Sequence, residues 1–303
     1  MITAKLDFKR LQIEDRPWVT ELLKKSDFQG CEYTFGNMYM WNAAFGSLVT
    51  RYKDFLITRN EHDGCINYCF PAGEGDLRGV IDIMIEEAMK TRGCFNMFGI
   101  TDKTLPLLES LYPGRFEYQA NEDYFDYIYN ASDLISLAGR KYHAKRNHIA
   151  AFEKNNDYIY EDITPDNIRE CVHMNEEWEK ANRDRNPDGM DRELTAIHRA
   201  FGNFFEIGLQ GGILRLGGRI VAYTAGERLN SNTFCIHIEK AFSGVQGAYA
   251  MINREFAARN LGGYEYINRE EDMGVEGLRK AKQSYHPAVW LKKYKAVCRG
   301  NGS

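Results

Sequence analysis

The residue types suited to group-transfer chemistry gather in the last quarter of the chain. Glu239 closes an apolar run, TFCIHIE, and the residues after it, KAFSGVQGAYA, make a glycine-containing loop that opens into a helical pattern at Ala248. Transfer to an amine or hydroxyl needs a deprotonated nucleophile and a protonated leaving group, so a carboxylate at that strand end is a candidate general base. Unpaired amides at a helix start, together with the positive end of its dipole, favour an anion such as a diphosphate. Gln246, Gly247, Ala248 and Tyr249 are the candidates to hold one. Asn268, Glu270, Glu271 and Asp272 follow the next apolar run, YEYIN. Such a cluster suits recognition of a cationic amine, with Asn268 and Glu271 the candidates for a direct role, or it caps the helix beginning near Gly274. Tyr285 precedes His286-Pro287 and is a candidate acid for a leaving thiolate or alkoxide; its alternative is a half-buried aromatic. His237 alternates with Glu239 and is expected on the same face of its strand.

The cations raise a separate question. Residues 139–154 read GRKYHAKRNHIAAFEK, with no acidic residue between Asp133 and Glu153, in a chain of net charge −4. Arg140, Lys145 and Arg146, with Lys280 from the C-terminal group, would hold a cofactor phosphate or a tRNA acceptor end if both groups border one cleft; otherwise the helix is a solvated face. The mildly acidic balance excludes a general nucleic-acid coat. Seven cysteines form no CxxC pair and no HExxH occurs, so reduced thiols and no metal are expected. The aromatic stretch EYTFGNMYMW carries no basic residue until Arg51, which favours core packing over a base-stacking platform. The polar segment NRDRNPDGMDR (182–192) is expected to be a mobile lid over the acceptor side.

These residues need elements to place them. At 303 residues with 44% hydrophobic content, the chain is long enough for two domains. Its early charges are not those of a secretory signal and no uncharged run is apolar enough to span a bilayer, so a cytoplasmic protein is expected. Leu77 to Met89 repeats at helical spacing between strand-like CINYCF and CFNMFGI. Ala248 to Asn260 does the same between TFCIHIE and YEYIN. Gly217-Gly218 supplies a hairpin turn, and Val289 to Val297 reads as a final strand. Each half thus shows hairpin, strand, glycine loop, helix, strand, helix, strand. The reading is an α/β (α+β) duplication with an N-terminal domain at 1–130, a donor-binding domain at 131–298 and a tail at 299–303.

The second half's element order resembles the GNAT superfamily of acyltransferases. YHAKRNHIAAFEK, NREEDMGVEGLRKAKQSYHPAVWLKKY and EYTFGNMYMW resemble, more narrowly, an uncharacterised bacterial family related to the C-terminal domain of phosphatidylglycerol lysyltransferase. Fem-type enzymes, which add amino acids to peptidoglycan from aminoacyl-tRNA, are relatives of that design. The resemblance implies tandem GNAT-like domains, each a mixed, mostly antiparallel sheet flanked by helices. It implies transfer of an acyl or aminoacyl group from acyl-CoA or aminoacyl-tRNA to an amine or hydroxyl. By position it implicates Ile238 and Glu239 beside the donor and the Gln246-Gly247-Ala248 loop at its diphosphate. The alternative is a non-catalytic module that binds a phosphorylated metabolite such as CoA, or a partner.

Overall fold

The computed structural model describes residues 5–182 and 187–298, with the side chains of 187–190 left out. Of the expected lid, residues 183–186 lie outside the described residues. The chain begins with helices α1 (Arg16–Ser26) and α2 (Phe35–Phe45), then strands β1 (Leu48–Tyr52), β2 (Phe55–His62), β3 (Cys65–Cys69) and β4 (Ala72–Gly73). Helix α3 (Leu77–Arg92) leads to β5 (Phe95–Thr101), α4 (Leu105–Leu111), β6 (Phe116–Ala120) and β7 (Asp126–Asn130). Next come α5 (Ala131–Ser136), α6 (His143–Asn155), β8 (Tyr158–Asp162), α7 (Ile168–Asn182) and α8 (Pro187–Gly202). The hairpin β9 (Gln210–Leu216) and β10 (Arg219–Arg228) is followed by β11 (Thr233–Ala241) and α9 (Ala248–Asn260). Strand β12 (Tyr266–Asn268), α10 (Glu276–Gln283), β13 (Val289–Leu291) and β14 (Lys293–Cys298) complete the described chain.

Local chemistry accounts for the elements that matter most. Asp76 accepts the Gly79 amide at the start of α3, and Gly93 ends that helix in the left-handed conformation. Its Val80, Ile81, Met84 and Ala88 are fully buried, one stripe of a 3.6-residue repeat. Thr34 caps α2 by accepting the Asn37 amide, so the aromatic stretch is a helix whose Phe35 and Tyr39 lie in the core.

Two mixed sheets result. The first runs β1-β2-β3-β5-β14-β6, with β4 beside β2; the second runs β13-β7-β12-β11-β10-β9-β8. In each, one parallel pair, β3 with β5 and β11 with β12, is joined through a helix, and every other pair is antiparallel. The repeat extends to the edges in crossed form. Strand β7, which ends the first half, sits between β12 and β13 of the second sheet; β14 sits between β5 and β6 of the first. The expected final strand is therefore two short strands in different sheets, divided at Lys292. A cut at 130/131 separates the halves of the chain but not the two sheets.

Three apolar cores follow. One joins the first sheet to α3, another joins the second sheet to α9, and the third holds Val19, Leu22 and Phe35 with Cys171, Ala196, Phe204 and Tyr223 between the halves. One expectation about the thiols fails: Cys65 and Cys94 form a disulfide between β3 and the start of β5, while Cys31, Cys69, Cys171 and Cys235 are free and buried.

Candidate functional site

Strand β11 supplies the site, and its irregularity decides what faces where. It pairs with β12 only over Thr233–Cys235, and beyond that the two chains part. Against β10, Ala225 is opposite Ile238 but Gly226 is opposite Ile236. His237 is thus the extra residue of a bulge, which breaks the two-residue alternation. Glu239 points to α9, where Asn253 donates to it at 3.1 Å. His237 points the other way, to Glu227 and Glu270. The expectation of one shared face is overturned by that single residue.

Where β11 and β12 part, four side chains converge: Glu239 of β11, Lys145 of α6, Arg269 just after β12 and Tyr285 just after α10. The Arg269 guanidinium donates to Glu239 at 2.7 Å, and each side chain is only 11% exposed. Arg269 also lies 4.8 Å from the centre of the Tyr285 ring, and the Lys145 ammonium sits 3.8 Å from the same ring centre. Burial and, after it, the nearby Arg269 charge bring the Lys145 pKa down to about 8, with Glu239 opposing both. Burial raises the Tyr285 phenol well above its ordinary value, so it stays protonated at any physiological pH. One guanidinium nitrogen of Arg269, Nη1, is buried without a hydrogen-bond partner among the described residues.

The loop beside this set only partly matches its expected role. Gly247 starts α9 in the left-handed region at φ 83° with no side-chain cap, and the Ala248 amide is taken by the Val245 carbonyl at 3.2 Å. A Cβ on Gly247 would collide with the His148 carbonyl of α6, so that helix lies hard against the loop. Gln246 and Tyr249 are exposed. The Ile238 carbonyl accepts the Thr224 hydroxyl at 3.1 Å.

The basic segment divides. Lys145 turns inward, whereas Arg146 donates to the Gly139 carbonyl at 2.7 Å and to that of Leu137, closing α5. Arg140 is exposed, and Lys280 pairs with Glu276 on the solvent face of α10. None of these three joins Lys145, as the one-cleft expectation required. The inward lysine of α10 is Lys282, bonded to the Arg269 and Glu271 carbonyls.

Asn268 and Glu271 lie elsewhere, at the seam between the halves. The Asn268 amide donates to the Gln29 carbonyl and to Asp126, and its oxygen accepts the Glu270 amide, so it orders the backbone after β12. Glu271 accepts from the Cys31 thiol at 3.3 Å. Beside them His237 bridges Glu270 at 2.8 Å and Glu227 at 3.1 Å. Burial disfavours its charge, yet Cys235, Glu227 and Glu270 hold its pKa well above the ordinary histidine value. Glu270 is held at φ 58°, a strained conformation for a side-chain residue, by that histidine and by the Asn37 amide at 3.0 Å. Lys293 pairs with Glu32 and Asp126, both at 2.7 Å. Among the described residues, the ligand-type atoms of Cys235, His237 and Glu270 lie within 4.8 Å of one another, and so do those of Cys31, Glu32 and Asp126. The second set already surrounds the Lys293 ammonium.

Sequence reading missed Arg269. Its signal was available: it is the lone cation in NREED, directly after a buried strand, where an unpaired arginine is costly.

Residues 23–297 match the family described as phosphatidylglycerol lysyltransferase, C-terminal. A conserved protein of unknown function from Bacteroides thetaiotaomicron VPI-5482 is 42% identical, with 97% of this chain and 100% of that one covered and a TM-score of 0.94. L-PGS from Bacillus licheniformis shares the fold at 15% identity, 95% and 93% coverage and a TM-score of 0.68. FemX does so at 9% identity, 96% and 97% coverage and a TM-score of 0.64. No curated protein matches. No helix among the described residues is long and apolar enough to cross a membrane.

Proposed function

Because the chain belongs to the family of the phosphatidylglycerol lysyltransferase C-terminal domain, we propose that it transfers an acyl or aminoacyl group from an activated donor, acyl-CoA or aminoacyl-tRNA, to an amine or hydroxyl acceptor. The observation that carries this reading is the convergence of Glu239, Arg269, Lys145 and Tyr285 where β11 and β12 part. Arg269 fixes the Glu239 carboxylate, so the base needs no reorganisation before it takes the acceptor's proton. Lys145, with a pKa of about 8, is charged at neutral pH yet gives up its proton readily, which suits protonation of the leaving group. Tyr285 remains a phenol and can donate a hydrogen bond to the oxyanion of a tetrahedral intermediate. The cationic pair beside the α9 start suits a donor that carries phosphate.

A second reading, a module that binds such a donor without turning it over, is favoured by the Glu239–Arg269 pair filling the wedge itself. One experiment separates them. Acetyl-CoA, longer acyl-CoAs and aminoacyl-tRNA are offered in turn, and melting temperature and transfer to amine acceptors are measured. The transferase reading expects one donor class to stabilise the fold. It expects Glu239→Gln to cost about 10²-fold or more in turnover with donor affinity kept. Stabilisation with no transfer, unchanged by Glu239→Gln and Tyr285→Phe and lost in Lys145→Ala, establishes the binding module. No stabilisation by any donor sinks both.

A further inference from the structure

In the bulged strand β11 the Cys235 sulfur lies 3.6 Å from Nδ1 of His237, and an oxygen of Glu270 lies 2.8 Å from the same nitrogen. The three ligand-type atoms fall within 4.8 Å of one another, and the transfer chemistry proposed above uses none of them. All three side chains are withdrawn from water. Cys235 is fully buried, the His237 side chain is 1% exposed and that of Glu270 is 16% exposed. A thiol, an imidazole and a carboxylate are the ligand types that zinc takes in proteins. Neither CxxC nor HExxH marks the set in the sequence. Two of its members are near neighbours on a strand, and the third follows β12, 33 residues beyond His237.

The spacing suits a tetrahedral ion. Bonds of about 2.3 Å to sulfur and about 2.0–2.1 Å to nitrogen put those two atoms about 3.5 Å apart, close to the 3.6 Å found. Glu270 stands about 0.5 Å nearer to Nδ1 than a tetrahedral edge requires, and as the most exposed of the three it has an open side to move toward. The surroundings are those of a metal-bound histidine, whose second ring nitrogen usually donates to a carboxylate that fixes the tautomer. Here Nε2 faces Glu227 at 3.1 Å, and Glu227 is itself held by the Gly36 amide at 2.7 Å. Asn37 holds Glu270 in turn at 3.0 Å. The neighbouring set of Cys31, Glu32 and Asp126 gives the contrast, because the Lys293 ammonium fills it, 2.7 Å from each carboxylate. Among the described residues no lysine or arginine forms an ion pair with Glu227 or Glu270.

We propose that Cys235, His237 and Glu270 bind one zinc-type divalent cation through the sulfur, Nδ1 and a carboxylate oxygen, with a fourth position left for water. The ion displaces the thiol proton and the proton shared between Nδ1 and Glu270. Its two charges replace the two that leave, so the net charge of the buried group is unchanged. Thiolate and imidazole select such an ion over magnesium or calcium, which prefer oxygen ligands. The ion pins the bulge of β11 to the turn after β12 and, through Gly36 and Asn37, to α2 of the first half. The inference stands on these three side chains and does not depend on the transferase reading.

The test uses cobalt(II) as an optical probe and zinc as its competitor, with the full chain first dialysed against a chelator. One cobalt per chain is expected to bind saturably. It should give a thiolate-to-cobalt charge-transfer band in the near ultraviolet and the intense visible bands of tetrahedral cobalt, and zinc should abolish both. Zinc should also raise the melting temperature, and magnesium at the same concentration should not. Cys235→Ser should remove the charge-transfer band and weaken cobalt at least tenfold. If that variant does not fold, Glu270→Gln, which keeps an oxygen for Asn37, decides by the same tenfold loss. A band kept in Cys235→Ser puts the ion on another thiol and overturns the proposal. So do an affinity unchanged in whichever variant decides, equal stabilisation by magnesium, or no charge-transfer band at all. No donor is present in the titration. A chain that binds cobalt but transfers nothing keeps this inference and loses the transferase one, and the reverse result does the opposite.

Discussion

The Glu239–Arg269 pair is the costliest arrangement in the wedge, because two charges leave water to meet there. Removing one member of a buried pair leaves the other uncompensated, which typically costs about 3–5 kcal/mol. Arg269→Met is therefore expected to destabilise the fold by about that much in urea denaturation. Glu239→Gln keeps a carbonyl for Asn253 but still strips Arg269 of its anion, so its cost is also substantial. Arg269→Met combined with Glu239→Leu should cost less than the two single changes added, with a coupling of about 2 kcal/mol. Simple additivity would show that the pair is not mutually compensated. Lys145 gives a pH signature. Its folded pKa of about 8 lies below the ordinary 10.5, so between those values the unfolded chain holds a proton that the folded one has lost. Stability then rises with pH across about 8 to 10.5, and the full penalty applies below 8. Lys145→Met should be more stable than the parent at pH 7, by about 1–2 kcal/mol once solvent screening of the partly exposed ammonium is allowed for, and the advantage should vanish near pH 10.5. An advantage constant across that range would place the ammonium in water.

At the scale of elements, the start of α9 shows how much one backbone position can demand. Gly247 sits at φ 83° with the His148 carbonyl where a Cβ would go, while Gly244, three residues earlier in the same loop, faces open space. Gly247→Ala should cost more than about 2 kcal/mol, and Gly244→Ala should fall within about 0.5 kcal/mol of the parent, both read by thermal unfolding. Equal costs would remove the close approach of α6 from the account. The contrast also marks what was legible in the chain. Ala248–Asn260 could be read from its apolar spacing and the glycines around it, since helix period and caps are local. The bulge at His237 was not legible, because alternation assumes a regular strand and nothing in TFCIHIE marks the added residue. Arg269 was masked by the acidic residues after it, and its pairing depends on β11, some thirty positions upstream. Glu239 and Tyr285 were found from local signals, a carboxylate late in an apolar run and a tyrosine just before His286-Pro287. Lys145 was singled out by charge density alone, and that signal could not separate it from Arg140 and Arg146, which the helix turns to other partners.

The molecule as a whole is governed by the crossed strands. Sheet order depends on pairings more than a hundred residues apart, which is why Val289–Val297 looked like one strand when its two parts belong to different sheets. Strand β7 fills the second sheet and β14 the first, and the shared core between the halves draws Val19 and Phe35 against Ala196 and Tyr223. Neither half can then close its sheet alone. Residues 1–130 without β14 leave β5 and β6 apart, and residues 131–303 without β7 leave β12 and β13 apart, each with two unpaired strand edges. The intact chain should therefore unfold in urea as one transition, with tryptophan fluorescence and far-ultraviolet circular dichroism superimposable. Expressed separately, the two fragments should be insoluble or lack a cooperative melt. Expressed together they should assemble into a one-to-one complex, since each supplies the strand the other lacks. A cooperative melt from either fragment alone would mean that the crossed strands are not needed to build the sheets. The transfer site would then rest on the second half by itself, although Tyr285 and Arg269 both pack against Tyr129 of β7.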